Sequence, residues 1–335
     1  MTAPERTRED LGSSARAVVE AVDVDLPASR VTVNGRTLTG DNRRELHRAL
    51  STALYDGWHS GQAPDVSVHP HRLRDPGLER ALARGVESDR TLARARVIDR
   101  SDAARLPVTD EPDETTLVSL HGVRVRVPDR LVVDRDGDVV QVELAALRPA
   151  LSPGFLVWDS PRSPMAAESV RLYLHVRRAH DAPAVWHDVL RRLRAATVDC
   201  RSKVLSAPAL YPRRDAVVVY AAAADLPTLC DIGRTVAADH VDRLAEETSS
   251  FALRLGRGVA LAAEPSDPEA ARAGLSFGQH RADALATGIL DAAEAGLSER
   301  AGADRIVANA LRTRGIDPVR LYRDLESTWP EPTPT

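Results

Sequence analysis

The chain has 335 residues, of which 43% are hydrophobic and 28% are charged, and its formal net charge is −4. This composition is typical of a folded globular protein, and the lack of a basic surplus argues against general nucleic-acid binding. No apolar run approaches the roughly 20 residues of a membrane helix, and the charged first residues do not resemble a signal peptide. We therefore expect a cytoplasmic protein with no membrane partner.

The N-terminal third shows a helical pattern. Apolar residues recur at spacings of three and four over residues 43–55 and 78–95, which predicts two helices, and Asp41 is the expected N-cap of the first. The acidic segment 110–114 contains a proline, which is typical of a linker. We therefore place a domain boundary there.

The boundary divides the chain into three predicted regions. Residues 1–110 form an N-terminal helical region that is a candidate for peptide or partner binding. Residues 115–328 form the catalytic domain, and the proline-rich residues 329–335 form a disordered tail.

Strands dominate the pattern after the boundary. An Asp-Gly pair predicts a hairpin between 131–133 and 139–144. Alternating or apolar segments predict further strands over 117–120, 123–127, 170–177, 201–205 and 214–220, and helices are predicted over 184–195, 226–247, 278–295, 298–314 and 318–325. The predicted fold class is α+β, mainly an antiparallel sheet flanked by helices, with an N-terminal helical segment.

We expect no metal and no cofactor. Cys200 and Cys230 have no metal-ligand spacing and are predicted to be buried, and His69 and His71 lack nearby further ligands. No phosphate-binding glycine motif and no nucleophile elbow is present.

Lys203 is the only lysine among 45 basic residues. Arginine can replace lysine wherever a fixed positive charge suffices, but arginine does not lose its proton and cannot act as a base. The retained lysine is therefore a candidate catalytic residue in an anion-binding site. The alternative is an ordinary surface lysine.

The strand predicted over 170–177 has a polar face. Because side chains alternate along a strand, Arg171, Tyr173 and His175 point the same way, and we expect them to line one pocket with Lys203. The alternative is a solvent-exposed outer face. Further cations lie on or near the neighbouring strands, namely Arg201, Arg213 and Arg214.

A second cationic pair opens the helix predicted over 278–295. His280 and Arg281 lie in its first turn, where free N–H groups favour anions, so Arg281 is expected to contribute to the same pocket. The alternative is an ordinary helix start capped by Ser276.

Five ordered blocks of the sequence resemble the HopA-type effector family. They comprise RLYLHV at 171–176, KVL at 203–205, YPRRDAVVVY at 211–220, VALAAEP at 259–265 and SFGQHR at 276–281. The family includes the stand-alone lyases of class V lanthipeptide and thioamitide biosynthesis. His175 stands where the plant-pathogen effectors tend to carry Asn, and no N-terminal chaperone-binding segment is recognisable, so the chain is most similar to the lyase branch.

The resemblance implies elimination of phosphate from phosphoserine or phosphothreonine in a precursor peptide, with a kinase-like protein as partner. The phosphothreonine lyases show a similar order of His, Lys and Arg. By that similarity Lys203 is the base and His175 is the acid. Tyr173, Tyr211 or Tyr220 orients the substrate. The expected phosphate ligands are Arg171, Arg201, Arg213, Arg214 and Arg281. His280 and Glu264 are further possible site residues with no assigned role.

Two other functions use the same residues. A phosphopeptide-binding module needs the arginines but leaves Lys203 as one more cation. An effector-like protein-interaction factor needs no chemistry at all.

Overall fold

The computed structural model describes residues 11–62, 73–86, 90–99, 115–120, 123–162, 168–296 and 300–327. The helices in these ranges are α1 (Ser13–Glu20), α2 (Arg43–Leu54), α3 (Pro76–Ala83), α4 (Ala182–Ala195), α5 (Leu226–Asp239), α6 (Pro268–Ala273), α7 (Phe277–Glu294) and α8 (Arg300–Thr313). The strands are β1 (Val22–Asp25), β2 (Arg30–Val33), β3 (Arg36–Thr39), β4 (Arg90–Asp99), β5 (Thr115–Leu120), β6 (Val123–Pro128), β7 (Val132–Asp136), β8 (Val139–Ala145), β9 (Leu147–Ser152), β10 (Phe155–Asp159), β11 (Ser169–Val176), β12 (Cys200–Leu205), β13 (Arg213–Ala222), β14 (Leu253–Gly256) and β15 (Val259–Ala263).

The strands form three sheets. A small sheet has the order β1-β2-β3, a second has the order β6-β5-β4-β8-β7, and the central seven-stranded sheet has the order β14-β15-β11-β13-β12-β10-β9. The pairings between these strands are antiparallel. The predicted fold class, α+β with a mainly antiparallel sheet, is confirmed.

Side-chain alternation along the central strands separates two cores. On one face Leu172 of β11 and Val219 of β13 pack in a cluster that includes Trp186 of α4 and Leu229 of α5. On the other face Tyr173 packs in a second cluster with side chains from α1, α2, α7 and α8. The central sheet is therefore covered by helices on both faces along β11 and β13.

The N-terminal third contains strands as well as helices, so its purely helical prediction is wrong. The predicted helix over 43–55 is present, but its N-cap is Asn42 rather than Asp41, because the Asn42 side chain accepts from the Glu45 backbone N–H. The predicted helix over 78–95 ends at Ala83, and β4 follows. The C-cap residue Arg84 already has an extended conformation, with φ of −71° and ψ of 100°, and Gly85 follows with a φ of +112°. Burial then alternates along the strand.

In the C-terminal half the predicted elements follow in order with two corrections, and β14, β15 and α6 are additional elements that were not predicted. Helix α5 ends at Asp239 instead of 247, and Leu244 bridges to Val176 of the sheet. No helix forms over 318–325; the Asp317 side chain accepts from two backbone N–H groups of a turn there, and Ile316 forms an antiparallel bridge with Asp324. The 131–144 hairpin is confirmed. At the start of α7 the Ser276 side chain accepts from the Gln279 backbone N–H, and the Gln279 side chain accepts from the Ser276 backbone N–H.

Cys200 and Cys230 are free and buried, as predicted. The linker at 110–114, the histidines at 69 and 71 and the tail over 329–335 lie outside the described residues. None of the helices described is both long and apolar enough to cross a membrane.

Candidate functional site

A pocket of about 450 Å³ opens on the central sheet beside the part that α7 covers. Strand β12 lies between β10 and β13, and its side chains on this face remain half-exposed because the second core does not extend over them. The residues that line the pocket are Leu151, Ser152, Val157, Ser169, Arg201, Lys203, Tyr220, Ala221 and Glu264. The pocket therefore combines two cations, a phenol, two hydroxyls and one carboxylate.

Lys203 stands in the middle of β12 and reaches this pocket. Its Cα pairs with that of Val157 on β10 and that of Val218 on β13. The Nζ lies 4.5 Å from the centre of the Phe155 ring and 5.6 Å from that of Tyr220. Within the described ranges no hydrogen bond or ion pair involves Lys203, so its amino group is available to a ligand.

Arg201 is the second cation of the pocket, and a buried carboxylate holds it. The Nε and Nη2 atoms of Arg201 donate to Asp159 at 2.7 and 3.0 Å, and Arg148 contacts the same carboxylate. Asp159 is 1% exposed, whereas the Arg201 side chain is 29% exposed. Burial and the neighbouring Arg201 lower the pKa of Arg148 to about 10. One buried carboxylate thus fixes two guanidinium groups beside the pocket.

Glu264 closes another side of the pocket. Arg171 donates to both Glu264 oxygens and lies 4.9 Å from the centre of the Tyr220 ring. The Arg171 side chain is 7% exposed and does not line the pocket. Arg171 therefore orients Glu264 and packs against Tyr220. This arrangement differs from the direct contact with phosphate that was expected from the sequence.

Tyr173 and His175 do not join Lys203 in this pocket, although they share the strand face predicted for them. Tyr173 is 2% exposed and packs edge-on against His59, with ring centroids 5.3 Å apart. His175 lies further along β11, where its Nδ1 is 2.8 Å from the backbone oxygen of Glu247. Burial lowers the pKa of His175. The expectation of one shared pocket is corrected because core residues cover this part of the face.

The cations at the start of β13 are held by the protein itself. Arg213 donates to both Asp215 oxygens at 2.8 and 2.7 Å and to the Tyr55 hydroxyl at 3.1 Å. Arg214 donates to the backbone oxygen of Gly57 at 2.9 Å. The Tyr211 hydroxyl donates to a backbone oxygen of β12 at 2.9 Å. None of the three predicted residues here lines the Lys203 pocket.

Arg281 is a core residue, and its predicted place in the pocket is corrected. It is fully buried, and its guanidinium donates to Asp324 at 2.5 Å and to the backbone oxygen of Leu321 at 3.0 Å. His280 is also fully buried, with its Nε2 3.2 Å from Asp267. Ser276 caps the start of α7. This segment is therefore an ordinary helix N-terminus, which was the alternative interpretation of the sequence.

Sequence reasoning missed several residues of the site. Asp159 ends the apolar run FLVWD, which is strand β10, and an acidic residue at the end of such a run was the available signal. Ser152, Phe155 and Ser169 carry no motif of their own. No group of three or more potential metal-ligand side chains occurs in the described part of the chain.

Comparison with known proteins identifies the family. The model of the HopA1 effector protein family matches residues 146–323, more than half of the chain. The chain belongs to this family. All residues that line the Lys203 pocket lie within the HopA1 segment, whereas α1, α2 and β1–β8 precede it.

Two solved structures are similar to this HopA1 family member. One is the effector protein from Pseudomonas syringae pv. tomato strain DC3000, with 14% identity and a TM-score of 0.46. The other is the effector protein from Pseudomonas syringae pv. syringae strain 61, with 15% identity and a TM-score of 0.47. Each match covers 93% of this chain and 96% of the other chain. No curated protein matches the chain.

Proposed function

We propose that this protein eliminates phosphate from phosphoserine or phosphothreonine residues of a peptide. The observation that carries the proposal is the amino group of Lys203, which reaches an open pocket and has no carboxylate partner within the described residues. Arg201, Tyr220 and two serine hydroxyls line the same pocket. These groups match the requirements of elimination, namely a base, a cation for the phosphate and a proton donor.

The reaction begins with removal of the Cα proton of the phosphorylated residue. The neutral amine of Lys203 accepts this proton, and the electron pair of the Cα–H bond forms the Cα=Cβ double bond. The Cβ–O bond breaks, and its electron pair leaves with the phosphate. Tyr220 donates a proton to the departing oxygen, so the products are a dehydroamino acid and hydrogen phosphate. The ammonium of Lys203 and the phenolate of Tyr220 then restore their protonation states through solvent.

The pocket supplies one guanidinium and two hydroxyls suited to the phosphate. Arg201 is held by Asp159 yet keeps an exposed edge, and a planar guanidinium forms parallel hydrogen bonds with phosphate oxygens. Ser152 and Ser169 add hydroxyl donors at the pocket wall. Arg171, by comparison, is committed to Glu264. Arg201 is therefore the arginine that we assign to phosphate.

The proton donor differs from the one expected from the sequence. His175 is not among the residues that line the pocket, and its Nδ1 is engaged by the Glu247 backbone. Tyr220 does line the pocket, and its ring lies close to both Lys203 and Arg171. We therefore assign the acid role to Tyr220 and treat His175 as a residue that supports the fold.

The proposed substrate is a precursor peptide of the lanthipeptide type that a kinase-like partner has phosphorylated. Support comes from the resemblance of the five sequence blocks to the HopA-type family, together with His175, which stands where the plant-pathogen effectors tend to carry Asn and so favours the lyase branch. The openness of the pocket is compatible with a peptide side chain that enters from solvent. Neither a nucleotide nor a metal ion has a role in this reaction scheme.

Mass spectrometry of a phosphothreonine peptide incubated with the protein tests the proposal. Elimination yields an alkene that a thiol can add to, whereas hydrolysis restores the hydroxyl. Lys203→Arg keeps the positive charge but cannot supply a neutral amine, so elimination is expected to fall by orders of magnitude while phosphopeptide binding persists. Wild-type elimination by Lys203→Arg, or a hydroxyl product, would contradict the assignment.

A phosphopeptide-binding module is the second candidate. The observation that favours it is the pairing of Arg201 with Asp159, which gives a fixed recognition surface without requiring a base. Such a module would bind phosphopeptides, leave them unchanged, and tolerate Lys203→Arg.

A further inference from the structure

A second cavity, of about 570 Å³, lies between helices α2 and α7. It shares no lining residue with the Lys203 pocket. Its α2 wall precedes residue 146, so the HopA1 family match covers only the α7 side. The cavity is therefore a separate feature of this chain.

Two unpaired cations line the α2 wall. Arg44 and Arg48 are four residues apart, so they lie on the same side of the helix about one turn apart. Both are exposed, and neither forms an ion pair or hydrogen bond with any residue that the structure describes. Elsewhere on the same helix Arg43 is bound by Asp291 and Glu294 of α7. The contrast leaves Arg44 and Arg48 available to a ligand.

The two acidic residues of the cavity differ in their surroundings. The Oδ2 of Asp283 accepts from Arg314 at 2.9 Å, and Arg314 does not itself line the cavity. Asp56 has no ion pair among the described residues, and burial raises its pKa. With Asp283 paired to Arg314, the two lining arginines Arg44 and Arg48 therefore face one remaining carboxylate, which leaves a positive surplus.

The remaining lining groups suit a polypeptide. Ser51, Thr52 and Gln279 provide hydroxyl and amide groups that can bind a peptide backbone. The two aromatic rings are His47, whose Nε2 is 3.0 Å from the Thr287 hydroxyl, and Tyr55, whose hydroxyl accepts from Arg213 at 3.1 Å, so the described lining offers no row of rings for stacked bases. This chemistry favours a peptide over a nucleic acid.

We propose that the cleft between α2 and α7 binds an acidic peptide segment, with Arg44 and Arg48 each holding a carboxylate. Guanidinium groups bind carboxylates through two parallel hydrogen bonds, and carboxylates spaced to match one helical turn engage both arginines. This binding does not depend on the elimination reaction, because the cleft and the Lys203 pocket have separate walls.

Fluorescence anisotropy tests the proposal. The probe is a fluorescein-labelled ten-residue peptide with two glutamates four residues apart, and the reference probe has glutamine at both positions. The double variant Arg44→Gln/Arg48→Gln should lose about fivefold or more in affinity for the acidic probe, as expected for two exposed ion pairs. The glutamine probe should bind weakly to wild type and variant alike.

A matched control separates a specific site from general attraction. Arg305→Gln/Arg312→Gln removes the same charge from α8, where both arginines are exposed and unpaired among the described residues. This control should bind the acidic probe as wild type does. Equal losses in both double variants, or equal binding of the two probes by wild type, would overturn the proposal. Tighter binding of a labelled oligothymidylate that depends on Arg44 and Arg48 would assign the cleft to nucleic acid and also overturn it.

Discussion

Gly278 of α7 lies directly against the ring of His59. A Cβ placed on Gly278 would be 2.2 Å from the His59 Cδ2 and 2.4 Å from its Cγ. The ring is buried, bonded through Nδ1 to Ser249 at 2.8 Å, and in contact with Tyr173. The absence of a side chain at position 278 therefore allows α7 to approach the His59 ring, which in turn packs on Tyr173 of the central sheet.

Replacement of Gly278 by alanine should destabilise the protein by about 1–3 kcal/mol, because the added methyl group overpacks a core that has no room for it. Urea denaturation measures the loss. Gly57→Ala is the control, since a Cβ there meets no atom within 4 Å. Similar stabilities for the two variants would show that the core accommodates the methyl group.

His59 should make stability dependent on pH. Burial lowers its pKa to about 3, whereas the unfolded chain has the ordinary value of about 6.5. Between these values the unfolded state binds one more proton, so the free energy of unfolding falls as the pH decreases from 6.5. One proton corresponds to a slope of about 1.4 kcal/mol per pH unit.

Urea denaturation at several pH values between 6.5 and 4.5 tests this assignment. His59→Gln should show a shallower slope of the free energy of unfolding against pH than wild type. Other groups that titrate in this range contribute to the slopes of both proteins. His180→Gln is the control, because the His180 side chain is 70% exposed. If the His59→Gln slope equals that of wild type, His59 does not carry the dependence.

Loss of the Asp159 charge should be costly. Asp159→Asn leaves Arg148 and Arg201 beside a neutral group in a largely buried setting, so a loss of about 3–5 kcal/mol is expected. Asp25→Asn, which breaks the exposed pair with Arg30, should cost less than about 1 kcal/mol. Thermal or urea unfolding compares the two variants. Equal costs would indicate that the Asp159 cluster contributes no more than a surface pair.

Tyr220→Phe tests the proton donor of the proposed reaction. The elimination rate should fall by about 10²–10⁴-fold, the usual contribution of general acid catalysis, with little change in phosphopeptide affinity. Tyr211→Phe loses a hydrogen bond to the Leu205 backbone away from the pocket and should leave the rate unchanged. A Tyr220→Phe enzyme with the wild-type rate would remove Tyr220 from the mechanism.

Local sequence patterns predicted much of the central sheet but could not show what covers it. Alternation correctly put Arg171, Tyr173 and His175 on one face of β11, and the single lysine does reach a pocket. Alternation does not specify which helices pack on that face. The pocket therefore lies beside β12 rather than along the middle of β11, because side chains of α7 pack with Tyr173 of β11 there.

Local sequence patterns also could not predict the ion-pair partners of the arginines. Asp159 lies 42 residues before Arg201, and Glu264 lies 93 residues after Arg171. Such pairs depend on strand order, which no short motif specifies. Charge patterns in the sequence consequently predicted more free cations than the folded protein presents.

The order of the five-stranded sheet limits how this protein can be divided. Strand β4 ends before the boundary predicted at 110–114, yet it pairs with β5 on one side and β8 on the other. A fragment that begins at residue 115 would lack the central strand of this sheet and would expose the backbone edges of both neighbours. Open edges of this kind recruit other chains. Fragments for crystallisation or partner capture should therefore retain β4, and a preparation that starts after it is expected to aggregate.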